Sequence, residues 1–188
     1  MKVHRTPLDG LILVETTPVK DERGEFVRVF CEADCTELRP NLHWTQINVS
    51  RTSHSGTVRG MHFQYPPSAE AKMIRCLQGR VFDVAIDLRA GSPTFLHWHG
   101  VELREDGSLQ FFIPEGFAHG FQALTDNAQL LYLHTATWAR QREGALRHDD
   151  PALSITWPLP VTRVSEKDRS VPLLDGRFGG IHLDGVEA

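Results

Sequence analysis

The chain has 188 residues, 40% of them hydrophobic, and a formal net charge of −4. A chain of this length buries roughly 70% of its unfolded surface, so one domain with a real core is expected. The charge argues against a nucleic-acid binder that relies on bulk positive field, and no apolar run approaches the roughly 20 residues that span a bilayer.

At the N-terminus a four-residue apolar stretch ends at Glu15. That is too short for the core of a signal peptide, and a cytoplasmic location is expected. A short helix is predicted from Glu32 to Leu38, stopped by Pro40. Cys31, Cys35 and Cys76 contain no CxxC pair and read as reduced and structural. From Val81 to Arg89 the chain alternates: Phe82, Val84, Ile86 and Leu88 point one way, Asp83, Asp87 and Arg89 the other. His97-Trp98-His99 reads as a strand surface. Leu109 to Ile113 and Gln129 to Thr135 are further strands. Turn signals separate the strands at Pro66-Pro67, Gln78-Gly79, Ala90 to Pro93, Glu105 to Gly107 and Pro114 to Gly116. Many short strands with regular turns predict an all-β antiparallel sandwich or barrel. From about Pro158 to residue 188 no period is visible, and this segment is expected to wrap the barrel as loops and short helical turns.

Polar groups inside apolar strands carry the functional signal. Arg59-Gly60-Met61-His62-Phe63-Gln64 and Lys72 place a guanidinium, an imidazole and an ammonium where burial is costly without a partner or a ligand. On a strand His62 shares a face with Gln64, and Tyr132 with Leu130 and His134. Two chemistries fit. A metal site would draw on His62, Gln64, Glu70 and His119, but glutamine is a poor transition-metal ligand. Metal-free acid–base catalysis on an anionic substrate would use histidine as a base near neutrality. Arg23, Arg59, Lys72 and His119 would supply positive groups, and Tyr132 a phenolic proton.

The motifs extend further: D-E-R-G-E-F (21 to 26), R-G-M-H-F-Q (59 to 64), A-K-M-I-R-C (71 to 76), V-F-D-V-A-I-D-L-R (81 to 89), G-S-P-T-F (91 to 95), I-P-E-G-F-A-H-G-F (113 to 121), D-D-P (149 to 151), I-T-W-P (155 to 158) and S-E-K-D (165 to 168). In this order, over nearly the whole chain, the set resembles the dTDP-4-dehydrorhamnose 3,5-epimerases. The resemblance implies a cupin-type double-stranded β-helix (jelly roll) with short peripheral helices, spanning residues 1–188 as one domain. It implies a homodimer whose N-terminal strand pairs into the partner's sheet, and neither metal nor organic cofactor. The implied substrate is a nucleoside-diphosphate 4-keto-6-deoxy sugar, whose ketone acidifies the hydrogens on carbon-3 and carbon-5. By motif, His62 is the base, Asp168 its orienting carboxylate, Lys72 the partner of enolate charge and Tyr132 the proton donor. Arg59 and His119, with Arg23 from either chain, match diphosphate-binding positions. Gln46, Asn48 and Glu143 match positions that hold nucleotide or sugar, and Phe26 matches a base-stacking position or a core strand aromatic.

Three features depart from the pattern, of which Tyr65 with Pro66-Pro67 only shifts the loop after Gln64 and is expected to be harmless. Arg28 stands where the family has an acidic residue near the nucleoside, which leaves the preferred base open. Trp138 stands where the family commonly has tyrosine, six residues after Tyr132, which leaves one or two inverted carbons open. A metal-dependent cupin isomerase or oxygenase and a non-catalytic sugar-nucleotide binder are the other readings.

Overall fold

The computed structural model describes residues 1–35, 38–39 and 42–183. In chain order its elements are β1 (Lys2–Arg5), β2 (Ile12–Glu15), β3 (Val19–Asp21), β4 (Gly24–Phe26), α1 (Glu32–Cys35), β5 (Gln46–Thr52), β6 (Val58–Gln64), β7 (Lys72–Gln78), β8 (Arg80–Asp87), β9 (Trp98–Arg104), β10 (Leu109–Ile113), β11 (Phe117–Ala123), β12 (Ala128–His134), β13 (Glu143–Ala145) and α2 (Glu166–Arg169). The strands predicted near 81, 109 and 129 form within a residue or two of their expected bounds. Helix α1 is helical to Cys35; residues 36, 37 and Pro40, over which the longer helix was expected, lie outside the described residues.

Two antiparallel sheets face each other. One has six strands in the order β1-β2-β10-β7-β12-β5, the other five in the order β13-β6-β11-β8-β9. Strands β3 and β4 form a separate hairpin. Ile74, Val81, Ala85, Leu103, Phe111, Phe121 and Leu130 fill the space between the sheets. The outer face of the six-stranded sheet is covered too, where Met73, Phe112 and Leu133 meet Cys35, Leu42 and Trp44. On the outer face of the five-stranded sheet, Val84, Ile86 and Leu88 pack against Leu146, Leu153, Trp157, Leu174 and Ile181. Sheets covered on both faces explain strands such as β11, buried at every residue, which carry no clean polar alternation. This is the cupin-type jelly roll.

His99 departs from the expected surface position. Its ring packs against Phe111 at 6.4 Å, and burial lowers its pKa. Strand β9 starts at Trp98, so His99 alone of the two histidines takes a strand position, and its side chain points toward the space between the sheets. From 158 to 183 the described chain holds only α2, plus isolated bridges from Arg163 to Thr57 and from Ile181 to Arg89. Among the described residues no helix is long and apolar enough to cross a membrane.

Candidate active site

Strands from both sheets line a cavity of about 630 Å3. Asn48 and Ser50 come from β5, Arg59 and His62 from β6, Lys72 from β7, His119 from β11, and Tyr132 and His134 from β12. Glu70, Trp138, Glu143, Arg163, Lys167 and Asp168 complete the wall from loops, β13 and the α2 region. Strand register does much of the assembly: His62 sits opposite His119, Tyr132 opposite Asn48, and His134 opposite Lys72.

A bulge in β6 explains why Arg59 joins His62. The two differ by an odd number of residues, so a regular strand would send them to opposite faces. Against β11, His62 pairs with His119 but Arg59 pairs with Phe121, so β6 carries one extra residue between them. That residue lies at Gly60-Met61. Gly60 has φ +123°, and a Cβ there would fall 2.5 Å from the Gly120 Cα, so glycine is required.

Helix α2 delivers the carboxylate that meets His62. Ser165 caps the helix, its Oγ accepting from the Asp168 N–H at 3.0 Å, so S-E-K-D is a capping sequence. His62 Nε2–H donates to Asp168 Oδ1 at 2.8 Å, which leaves the lone pair on Nδ1. Asp168 is 3% exposed. Burial pushes its carboxyl up, but hydrogen bonds from His62, Ser165 and Gly60 outweigh this and hold it below the usual range.

Across the cavity, the Tyr132 hydroxyl lies 3.2 Å from Ser50 Oγ. Burial drives the phenol pKa well up, against the Ser50 hydrogen bond and the Arg59 charge, so the hydroxyl stays protonated at neutral pH. His119 bonds to Asp83 of β8, which is fully buried. The Lys72 ammonium lies 3.2 Å from Glu70 Oε1, and His134 Nδ1 lies 2.8 Å from Glu70 Oε2. Burial raises the Glu70 pKa, but His134 and Lys72 outweigh it and hold the carboxyl down.

The cavity thus brings together His62, Asp168, Lys72, Tyr132, Arg59, His119, Asn48, Trp138 and Glu143 from the sequence-based set. Arg59 is held by Thr52 Oγ1 at 3.1 Å and the Arg51 carbonyl at 3.0 Å. Gln46 stands behind the wall, its Oε1 accepting from the Trp138 N–H at 3.2 Å. Arg23, Phe26 and Arg28 do not reach the cavity of their own chain. Arg23 pairs with Asp21, Arg28 lies 3.8 Å from Asp34, and Phe26 is 76% exposed, which removes its reading as a core aromatic. Asp83, His134 and Arg163 were not singled out as site residues. Arg163 lines the cavity from an irregular segment with no period to reveal it, and among the described residues neither it nor Arg59 has a carboxylate partner.

The four donors considered for a metal, His62, Gln64, Glu70 and His119, all line the cavity, and each is hydrogen-bonded to another protein group. Gln64 donates to the Ser68 carbonyl at 3.0 Å and accepts from the Ala139 N–H at 2.6 Å, bracing the loops beside the cavity. Among the described residues no group of three His, Cys, Asp or Glu is placed to hold a metal ion.

The family model for dTDP-4-dehydrorhamnose 3,5-epimerase matches residues 5–176. A dTDP-4-dehydrorhamnose 3,5-epimerase of Sinorhizobium fredii is 41% identical over 163 residues, covering 86% of this chain and 84% of its own. The crystal structure of dTDP-6-deoxy-D-glucose-3,5-epimerase from Legionella pneumophila, in complex with dTDP-4-keto-L-rhamnose, superposes with a TM-score of 0.89 at 37% identity, covering 96% of this chain and 97% of its own. A 3′-monoepimerase from Streptomyces bikiniensis, in complex with dTDP-quinovose, gives 0.84 at 31% identity, with 90% and 86% covered. The chain belongs to the dTDP-4-dehydrorhamnose 3,5-epimerase family.

Proposed function

We propose that this family member epimerises dTDP-4-dehydro-6-deoxy-D-glucose at carbons 3 and 5 to dTDP-4-dehydro-L-rhamnose, without metal or organic cofactor. One observation carries the reading: an oriented imidazole and a protonated phenol line the same cavity, together with a buried ammonium. His62 Nδ1 removes the hydrogen alpha to the C4 ketone as a proton, and the C–H electron pair moves to the ketone oxygen to give an enolate. Lys72 stabilises the enolate oxygen. The Tyr132 hydroxyl returns a proton to the opposite face of the same carbon. Solvent then removes the proton from His62 and restores that of Tyr132, and the cycle repeats at the second carbon. Arg59 and His119 hold the diphosphate; Gln46, Asn48 and Glu143 support the nucleotide and sugar.

The site is shared between two chains in this reading. The exposed β3–β4 hairpin carries Arg23 and Phe26 away from the cavity of its own chain, and β1 lies at a sheet edge. We take the homodimer, with N-terminal strand exchange, to bring the partner's hairpin over the nucleotide, where Phe26 stacks on the base and Arg28 contacts the nucleoside. Residues 1–188 act as one unit, with the segment from about 158 supplying Asp168, and the chain works in the cytoplasm.

The test is deuterium exchange in heavy water with the purified protein and no added metal. Exchange at carbon-3 and carbon-5 is expected, and His62→Ala should slow it by about 10²–10⁴. No exchange with dTDP or other nucleotide versions of the sugar would sink the reading. Exchange at one carbon alone would favour a mono-epimerase, which Trp138 motivates: it is 57% exposed at the cavity wall and lacks a hydroxyl.

A further inference from the structure

Glu70 lies beside this chemistry and takes no part in it. Its side chain is 9% exposed, and its two oxygens serve two different pocket groups, Lys72 at 3.2 Å and His134 Nδ1 at 2.8 Å. A carboxylate next to Lys72 cancels charge that an enolate would use, so electrostatics alone is a poor reason for it. Geometry is a better one. An ammonium has three N–H groups. Glu70 takes one and the His62 carbonyl, at 3.4 Å, another, which leaves one for a ligand. The second oxygen fixes His134 as the Nδ1–H tautomer, so its Nε2 accepts from Asn48 Nδ2 at 3.3 Å. The His134 ring also lies nearly parallel to that of Tyr132, with centroids 5.9 Å apart and planes at 12°.

We propose that Glu70 and His134 form a positioning pair for the reaction: one buried carboxylate aims the Lys72 ammonium, and through the imidazole it orients the Asn48 amide and the Tyr132 ring. The chemistry it serves rests on the epimerase reading; the geometry does not. Neither residue touches the reacting atoms, so each acts through others. Misplacing a reacting group by about 1 Å costs on the order of 10² in rate, which sets the scale.

Two measurements test it. In the ligand-free protein, ¹⁵N-histidine NMR at neutral pH is expected to show His134 neutral, with its proton on Nδ1. Glu70→Gln is expected to disturb that tautomer and lower kcat by about 10–100-fold, with KM changing less than about threefold. A wild-type His134 protonated on Nε2, or on both nitrogens, overturns the proposal whether or not the variant folds. So does a Glu70→Gln protein with kcat within about twofold of wild type. A wild-type protein that never exchanges sugar hydrogen, yet shows the Nδ1–H tautomer and its loss in Glu70→Gln, refutes the epimerase reading and supports the pair.

Discussion

Replacing Asp168 with asparagine tests the proposed base without removing it. The side chain keeps its shape, but an amide can present N–H where the carboxylate only accepts. Asp168 Oδ1 takes the His62 Nε2–H at 2.8 Å in a site 3% exposed, so little else can satisfy that proton. An amide N–H facing the ring moves the imidazole proton to Nδ1 and removes the lone pair that abstracts hydrogen. The expected loss is about 10²–10⁴ in kcat, or roughly 3–5 kcal/mol of barrier, with KM within about threefold. Deuterium wash-in at saturating substrate measures it. A thermal melt runs alongside, since losing a charged hydrogen bond costs about 1.5–3 kcal/mol of stability. The folded carboxyl titrates below its usual 3.8, so its stabilisation is full above that value and fades as the pH falls through the lower one. At neutral pH the whole contribution is therefore present to be lost. The double variant with His62→Ala should be no slower than His62→Ala alone, because Asp168 acts only through the ring. A folded Asp168→Asn protein with wild-type kcat refutes this reasoning.

Two further outcomes are expected. Buried Asp87 accepts hydrogen bonds from Arg89, Ser92 and Thr94, and these outweigh its burial to hold its pKa at about 2 against the usual 3.8. That shift corresponds to about 2 kcal/mol, present above pH 3.8 and lost as the pH falls through about 2. Urea unfolding should therefore show a stability gap between wild type and Asp87→Asn at neutral pH that narrows through this window; a gap constant with pH contradicts it. For the shared site, light scattering should give the mass of two chains. Mixing His62→Ala chains with Arg23→Ala chains should restore activity, since each mixed dimer holds one intact site; a mixed dimer without recovery refutes sharing.

What the sequence revealed depended on whether a residue followed a period. Alternation from 81 to 89 gave β8 and its outer apolar face, because Val84, Ile86 and Leu88 meet the cover formed by Leu146, Leu153 and Ile181. The same alternation hid Asp83, which reads as a solvent-facing residue but is fully buried against His119. Both faces of the sheet are covered, and polarity alone cannot separate a solvated aspartate from a paired one. Strand parity put His62 on one face with Gln64, but it could not account for Arg59 beside them, because the extra residue at Gly60-Met61 reverses the face. His134 was visible only as a neighbour of Tyr132, since its partner Glu70 comes from the loop before β7, a contact that no sequence spacing predicts. Asp168 came only from the family resemblance through S-E-K-D, since alone it reads as a solvated loop aspartate; its capping hydrogen bond and its distance from His62 are properties of the folded chain.

The three cavity histidines follow one plan. His62 on β6, His119 on β11 and His134 on β12 each meet a carboxylate: Asp168 from α2, Asp83 from β8 and Glu70 from the loop before β7. Each carboxylate claims one ring nitrogen, so the proton position and ring orientation are set before substrate arrives. The cavity-lining residues also include four cations, Arg59, Lys72, Arg163 and Lys167, against three carboxylates, Glu70, Glu143 and Asp168. Lys72 and Lys167 are each paired with a glutamate, while the guanidiniums of Arg59 and Arg163 have no carboxylate partner among the described residues. In the proposed reaction, guanidiniums without a carboxylate partner are available to the diphosphate, which His119 also binds, while Lys72 keeps a direction toward the sugar fixed by Glu70. Groups fixed in advance cost no reorganisation when charge develops on the ketone oxygen, and a slow C–H proton transfer gains most from that arrangement.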